Sequence, residues 1–413
     1  MPEPQSTTFF LLLIVVFAGL MWWLVAAKQL VFRVLAACLA FIPAMMFGVA
    51  AVNKYYDYYQ NWNSAISDLT GSSAQTAALP ATDAKAGQKF GSYLGHAVDT
   101  ALAAQDGYTF SLNVPGADSH ITRAVYVYLP PQYFQKAYRF YRFPAIELLH
   151  GFPGTPLDWI TVVGITSTMQ SLVSSGLAKP AVLVMPDANG GRAISLQCLN
   201  QFHGPQDATY LAVDLPEYIA HTLRVQAPGP AWGIAGYSEG GFCSANLALR
   251  YTNRFGFSGV LSGYFVPLAN QLGHPPRPVS PFGKNPKLRG ENTPNDEVAA
   301  LAPGRPIPQF WLGVGSADRS GLKSAEFFQQ LLEIRQPGVT LKIVPGGGHT
   351  MVTWRALVPP MLEWMTPQLA SEVTAQQARQ EQAAKKAAQA AQAADAATKH
   401  NKPAASRPRH HAD

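Results

Sequence analysis

Hydrophobic residues are concentrated at the start of the chain. Two uninterrupted apolar runs, 9–27 and 34–52, are each about 19 residues long, enough to cross the hydrocarbon core of a bilayer as a helix. Lys28 and Arg33 lie between them, and the positive-inside rule places these charges in the cytoplasm. The pattern predicts a transmembrane helical hairpin within residues 1–54, with the rest of the chain on the extracytoplasmic side. One spanning helix followed by a re-entrant or interfacial segment is the alternative.

The residues around this hairpin support the same interpretation. Glu3 precedes the first run without any Lys or Arg, whereas a secretory signal peptide normally begins with a basic region. Aromatic side chains of the kind that favour the headgroup layer follow the second run; they are Tyr55, Tyr56, Tyr58, Tyr59 and Trp62. A role in substrate binding is the alternative for these rings. Residues 55–105 are predicted to form a juxtamembrane segment and stem, with a short helix near 93–104.

Short apolar runs alternate with helical patterns between residues 106 and 370. Strands are predicted at 108–114, 122–129, 145–149, 181–185, 232–235, 259–261, 310–314 and 341–344. Helices are predicted at 215–225, 241–251 and 324–335. Strands that are apolar on both faces indicate a mostly parallel sheet covered by helices on each side. The prediction is therefore an α/β doubly wound sheet, whose active sites form at the carboxyl ends of the strands.

Two further segments differ in composition from this domain. Residues 266–306 are rich in Pro, Gly and Asn and are predicted to form a cap-like insertion. Residues 371–413 are rich in Ala, Gln and Lys, which predicts a solvated helix that ends in disorder. Several of the positive residues behind the net charge of +6 lie in this tail and beside the membrane segments, so no single basic face predicts nucleic-acid binding.

The motif G-x-S-x-G occurs at 236–240 and centres on Ser238. In a nucleophile elbow the serine occupies a strained turn between a strand and a helix, where only small neighbours fit. The motif here follows a predicted strand and precedes a predicted helix. Ser238 is therefore the predicted nucleophile.

A serine nucleophile needs a base and an acid, which follow it in the order acid then histidine in this fold. His349 lies on a glycine-rich loop after the last predicted strand, and the other downstream histidines lie in the insertion or the tail. Asp318 follows the strand at 310–314 and is the predicted acid; Asp296 and Glu291 are its competitors. No metal or cofactor is expected.

The tetrahedral intermediate of acyl transfer also needs hydrogen-bond donors. The backbone N–H of Glu239 is the first predicted donor and that of Phe152, on the loop 150–154, is the second. His150 is expected to shape this loop rather than to act as a base. The candidates for the substrate pocket are His150, Trp159 and Tyr237.

Two cysteines lie in the predicted catalytic domain. If that domain is extracytoplasmic, Cys198 and Cys243 could form a disulfide; two buried free thiols are the alternative.

The chain resembles the esterase D family of α/β-hydrolases, which also contains the antigen 85 mycolyltransferases and feruloyl esterases. The resemblance covers residues 108–365 and is carried by the following segments: Val127-Tyr-Leu-Pro-Pro, Leu149-His-Gly-Phe-Pro-Gly with Trp159, Val184-Met-Pro-Asp, Asp214-Leu-Pro, Gly236-Tyr-Ser-Glu-Gly-Gly and Gly346-Gly-Gly-His. It implies a Ser-acid-His esterase or acyltransferase that needs no metal or cofactor. Glu239 and Asp318 replace the hydrophobic residue and the glutamate of the mycolyltransferases, which favours the esterase branch. The two cysteines resemble the pair in exported actinobacterial members, although Phe242 stands where those often have threonine.

Three functions are consistent with these residues. The first is hydrolysis of a carboxylic ester of an envelope lipid or glycolipid, because a membrane anchor restricts the enzyme to substrates near the bilayer. The second is transfer of the acyl group to a sugar hydroxyl. The third is a catalytically silent hydrolase scaffold that binds the envelope. The acyl group, the alcohol and the oligomeric state are not encoded in any motif.

Overall fold

The structure is a computed structural model that describes residues 2–56, 58–59, 62, 66, 100–191, 195–268, 280–302, 304–335 and 337–400. Most of the predicted stem, the middle of the predicted insertion and the end of the tail lie outside these residues.

The two apolar runs form helices α1 (Thr7–Ala26) and α2 (Leu30–Tyr56). They pack against each other, for example through the Phe10 and Phe47 rings at a centroid distance of 5.2 Å. Both are long and apolar enough to cross a membrane, and few of their side chains are buried. Helix α2 begins at Leu30, before the second apolar run at 34–52, so Arg33 lies in the first turn of α2 and not in the connection between the helices. Arg33 instead donates from Nε to the Ala27 carbonyl at 2.8 Å, close to the open carboxyl end of α1.

The catalytic domain is built on an eight-stranded sheet in the order β1-β2-β4-β3-β5-β6-β7-β8. The strands are β1 (Tyr108–Pro115), β2 (Thr122–Leu129), β3 (Ala145–Leu149), β4 (Val182–Pro186), β5 (Gly229–Tyr237), β6 (Phe255–Leu261), β7 (Gln309–Gly315) and β8 (Thr340–Val344). β1 and β2 pair as an antiparallel hairpin, β2 pairs antiparallel with β4, and the remaining pairs are parallel. This mixed sheet confirms the predicted fold class.

Helices cover both faces of the sheet. They are α3 (Thr100–Asp106), α4 (Leu157–Thr161), α5 (Ile165–Ser174), α6 (Leu215–Thr222), α7 (Glu239–Arg250), α8 (Pro286–Gly290), α9 (Pro294–Ala300), α10 (Arg319–Glu333) and α11 (Met351–His400). Short helical segments also occur at 131–134, 136–138 and 207–214. One apolar core lies between the sheet and α6, α7 and α10, and the second lies between the sheet and α4, α5 and α11. The β5–α7 junction therefore lies at the centre of a three-layer structure.

The predicted domain boundary at residue 371 does not appear in the secondary structure. Helix α11 runs without a break from Met351 to His400, and both Leu369 and Val373 are fully buried. Packing against the sheet therefore continues past the predicted boundary, and the Ala- and Gln-rich segment that follows favours continued helix.

The described part of the predicted insertion contains α8 and α9. Asn292, between these helices, accepts a hydrogen bond from the side chain of Asn246 on α7 at 3.2 Å, and Val298 of α9 is buried. These contacts hold α9 against the helix that follows Ser238. A cap over the site remains a prediction.

Glu297 on α9 carries a buried carboxyl oxygen without a hydrogen-bond partner in the described part of the chain. Burial raises the pKa of this carboxyl from 4.5 to about 7, against the opposing effect of Arg250 and Arg305. Because the folded state binds the extra proton, the cost of ionising Glu297 appears as the pH rises from about 4.5 and is fully present above pH 7.

We therefore expect Glu297→Gln to raise the thermal unfolding midpoint at pH 8 by roughly 2–4 °C. The difference from wild type should disappear towards pH 5, where Glu297 is protonated in the folded state. Thermal unfolding followed between pH 5 and 8 measures both quantities. Glu326→Gln, at an exposed carboxyl on α10, is the matched control, and a pH-independent effect of Glu297→Gln would contradict the assignment.

Candidate active site

Ser238 lies at a sharp turn between β5 and α7. Its backbone has φ 55° and ψ −118°, a conformation that costs an ordinary residue about 1–3 kcal/mol. A Cβ on Gly236 would lie 2.1 Å from the Gly240 carbonyl oxygen, and one on Gly240 would lie 2.1 Å from the Leu149 carbonyl oxygen. Backbone segments therefore approach too closely for any residue but glycine, as a nucleophile elbow requires.

The three predicted catalytic side chains meet at the carboxyl ends of the strands. His349 Nδ1 lies 2.7 Å from Asp318 Oδ2, and its Nε2 lies 2.9 Å from Ser238 Oγ. A carboxylate can only accept, so Nδ1 carries the proton and donates it to Asp318. Nε2 is then free to accept the Ser238 hydroxyl proton, and the three groups form a continuous hydrogen-bonded relay.

Asp318 is positioned by the start of α10. Its carboxylate accepts the Gly321 backbone N–H at 3.0 Å as the N-cap of this helix. Burial acts to raise the pKa of Asp318, but the hydrogen bond and electrostatic attraction of the His349 ring, together with the Gly321 N–H and Ser320, outweigh it and lower the net pKa. Its competitor Glu291 instead pairs with Arg250 at 3.8 Å. Asp318 is therefore held ionised beside the imidazole.

The loop that follows β3 lies directly against the serine. A Cβ on Gly151 would lie 3.2 Å from the Ser238 Cβ, and the next residue is Phe152. His150 is buried; its Nδ1 donates to the Gly151 carbonyl at 2.8 Å and its Nε2 accepts the Ala188 N–H at 3.1 Å. Both ring nitrogens are occupied by backbone groups, so His150 stabilises the loop.

Trp159 and Tyr237 have no exposed surface, so the expectation that they line an open pocket is wrong. Their rings contact each other at a centroid distance of 5.0 Å, and Tyr237 also stacks on Trp354 at 4.6 Å. The Trp354 ring in turn meets the His349 ring edge to face at 5.1 Å. The three aromatic side chains are large and lie on strand and helix positions that face the core. The imidazole of His349 therefore packs on a buried aromatic cluster through Trp354.

The sequence motifs did not single out Asp158 or Trp354. Asp158 is buried; it accepts the Thr155 N–H at 3.0 Å and the Tyr237 hydroxyl at 3.3 Å. It thereby fixes the end of the loop 150–155. A carboxylate three residues after Thr155 was the available signal for such a local cap.

Glu239, directly after the serine, is buried and its Oε2 accepts the Ser195 hydroxyl. Burial raises the pKa of Glu239, and the hydrogen bond from Ser195 opposes this only in part. Glu239 also begins α7, so its backbone N–H is one of the first-turn amides that have no acceptor within the helix.

A disulfide joins Cys198 to Cys243, with Cα atoms 5.6 Å apart. It connects the segment after β4 to the second turn of α7. The described residues contain no group of three or more His, Cys, Asp or Glu side chains arranged to hold a metal ion.

Comparison with curated proteins finds relatives in actinobacteria. An uncharacterized protein of Corynebacterium glutamicum is 24% identical over 248 residues, which are 59% of this chain and 57% of that protein. The MPT51/MPB51 antigen of Mycobacterium tuberculosis is 30% identical over 125 residues, which are 30% of this chain and 38% of the antigen. The matches thus span little more than half of the first relative and well under half of the second.

Solved structures share the fold. A ferulic acid esterase superposes with a TM-score of 0.56 at 21% identity and covers 64% of this chain and 99% of its own. The fluorophosphonate-binding serine hydrolase FphF of Staphylococcus aureus has a TM-score of 0.52 at 19% identity and covers 63% and 98%. The superpositions show a common α/β-hydrolase fold, and at identities this low they show the fold alone.

The family model described as "Putative esterase" matches residues 120–365, which contain the elbow, the histidine loop and all the strands from β2 to β8. This match confirms the resemblance found in the motifs. Because it covers more than half of the chain, the protein belongs to this esterase family.

Proposed function

We propose that this protein is a membrane-anchored serine esterase with Ser238 as the nucleophile, His349 as the base and Asp318 as the acid. The observation that carries the proposal is the relay of 2.9 Å and 2.7 Å contacts through His349. In the proposed reaction Nε2 accepts the hydroxyl proton while Ser238 Oγ attacks the ester carbonyl. Asp318 stabilises the imidazolium, which then donates the proton to the departing alcohol. Water, activated by the same imidazole, releases the acid from the acyl-serine.

The proposed oxyanion hole consists of the Glu239 and Phe152 backbone N–H groups. Glu239 offers a first-turn amide of α7, whose positive helix end favours negative charge nearby. Phe152 follows Gly151, which lies against Ser238. Donors that are fixed before the reaction stabilise the developing oxyanion without reorganisation.

The proposed substrate is a carboxylic ester of a cell-envelope lipid or glycolipid, on the outer face of the membrane. Two features support it: α1 and α2 are long and apolar enough to span a bilayer, and Lys28 and Arg33 lie at the end of the hairpin that would face the cytoplasm. Both ends of such a hairpin are on one side, which puts the catalytic domain outside.

A fluorophosphonate probe tests the nucleophile directly, because it reacts only with an activated serine. We expect detergent-solubilised full-length protein to be labelled, and Ser238→Ala and His349→Ala to lose the labelling. Ser244→Ala removes another serine, whose hydroxyl bonds backbone carbonyls of α7 and β6, and should retain it. Folded wild-type protein that stays unlabelled would refute the serine esterase and favour a binding scaffold.

The carboxylate should affect turnover more than binding. Asp318→Asn keeps the shape of the acid but removes the charge that stabilises the imidazolium, so we expect kcat to fall by about 10²–10⁴-fold with little change in KM. Steady-state kinetics with p-nitrophenyl butyrate measures both constants. Asp296→Asn, at the competing carboxyl on α9, should leave kcat within about twofold, and the reverse ranking would transfer the role of acid to Asp296.

Substrate class is tested by comparing lipid esters in vesicles with soluble esters. We expect wild-type protein reconstituted in vesicles to release fatty acid from acylated glycolipids or amino acid from aminoacyl-phospholipids, and Ser238→Ala to release neither. Adding a free sugar acceptor distinguishes hydrolysis from transfer, since transfer would yield an acylated sugar. Activity confined to soluble polymeric esters would refute the envelope-lipid proposal.

A further inference from the structure

The segment that leaves the membrane hairpin contacts the loop beside the serine. Tyr58 follows α2 by two residues, and its hydroxyl donates to the Pro153 carbonyl at 2.6 Å. Pro153 is the residue after Phe152, the second proposed oxyanion donor. A side chain from the anchor thus reaches a loop that packs against the nucleophile.

This contact is reinforced from the catalytic domain. Arg355, in the second turn of α11, donates from Nη2 to the Tyr58 carbonyl at 3.3 Å and from Nε to the Val162 carbonyl at 2.6 Å. Tyr58 and Tyr59 also pack against the apolar core between the sheet and α11. The anchor segment therefore lies on the helix that begins two residues after His349.

The same segment is fixed to the hairpin. The Asn53 side chain accepts the Tyr59 N–H at 2.8 Å and donates to the Tyr59 carbonyl at 2.9 Å. The Tyr58 N–H also bonds the Asn53 carbonyl at 3.3 Å. Tyr58 is consequently held from both sides, by the end of α2 and by the catalytic domain.

The loop 150–155 is held at each end, and the Tyr58 hydroxyl binds the Pro153 carbonyl in its middle. His150 bonds Gly151 at the start, and Asp158 bonds Thr155 at the end. The direction of the Phe152 N–H depends on the peptide planes between these points. The Tyr58 hydroxyl fixes the peptide plane between Pro153 and Gly154 through the Pro153 carbonyl. Pro153 has no N–H with which to hold the other side of the residue.

We infer that Tyr58 is a positioning residue that couples the membrane anchor to the oxyanion loop. The inference rests on the proposed role of the Phe152 N–H. The interaction acts on the transition state, since a correctly aimed donor is needed once the carbonyl oxygen becomes negative. The anchor then serves the reaction itself in addition to localising the enzyme.

The test is Tyr58→Phe in the full-length, detergent-solubilised protein with p-nitrophenyl butyrate as the substrate. The number of active sites is determined by fluorophosphonate titration, so that kcat refers to correctly folded sites. Loss of one positioning hydrogen bond should lower kcat per titrated site by about fivefold, with KM changed by less than about twofold. Tyr55→Phe removes an exposed hydroxyl of the same aromatic segment and should leave kcat unchanged.

The outcomes separate this inference from the proposed function. If wild type is labelled through Ser238 but Tyr58→Phe retains the wild-type kcat per titrated site, the coupling is overturned and the esterase stands, whatever happens to the unfolding temperature. A rise in KM at constant kcat also overturns it, because that result would assign Tyr58 to substrate binding. If wild type is not labelled at all, the proposed function fails first.

Discussion

The backbone at Ser238 can hold its strained conformation only because the structure around it leaves no alternative. The Ser238 N–H bonds the Leu261 carbonyl of β6 at 2.9 Å, and every residue from Glu239 to Leu249 in the following helix is buried. The stabilisation gained by burying this helix far exceeds the strain energy of a few kcal/mol at one residue. Ser238 is therefore placed by the core of the domain, and the loops that carry Asp318 and His349 reach a fixed position beside it.

The pKa values of two carboxyl groups near Ser238 are shifted in opposite directions. Asp318 has a lowered pKa because it collects hydrogen bonds from His349 and from the start of α10. Burial raises the pKa of Glu239, although it bonds Ser195. Negative charge is thus favoured on Asp318, beside the His349 ring, and is disfavoured on Glu239, next to Ser238. In the proposed reaction, this shift would reduce the repulsion between Glu239 and an oxyanion near Ser238.

The strands, the turn at Ser238 and the meeting of His349 with Ser238 could be predicted because each depends on local pattern and chain order. β3 was predicted to the residue, and Asp318 followed from its place after β7. The depth of Trp159 and Tyr237 could not be predicted, since it depends on how α4 and α11 pack on the sheet. The contact between Tyr58 and Pro153 joins residues 95 positions apart, and nothing in an aromatic membrane-proximal cluster specifies which ring turns towards the domain. The continuous α11 was missed because composition changes at residue 371 while the helix does not.

If the catalytic domain lies on the proposed outer side of the membrane, the disulfide contributes to its stability only after export. Cys198 and Cys243 are 45 residues apart. A cross-link of that span lowers the conformational entropy of the unfolded chain and so raises the free energy of unfolding by about 4 kcal/mol. In a reducing cytoplasm the bond is absent, so a newly made domain unfolds more readily and is easier to translocate. Once on the proposed outer side it oxidises and α7 becomes tied to the segment after β4. Maturation of the nucleophile helix would thus be timed by export, and the enzyme would reach its full stability only where the envelope lies.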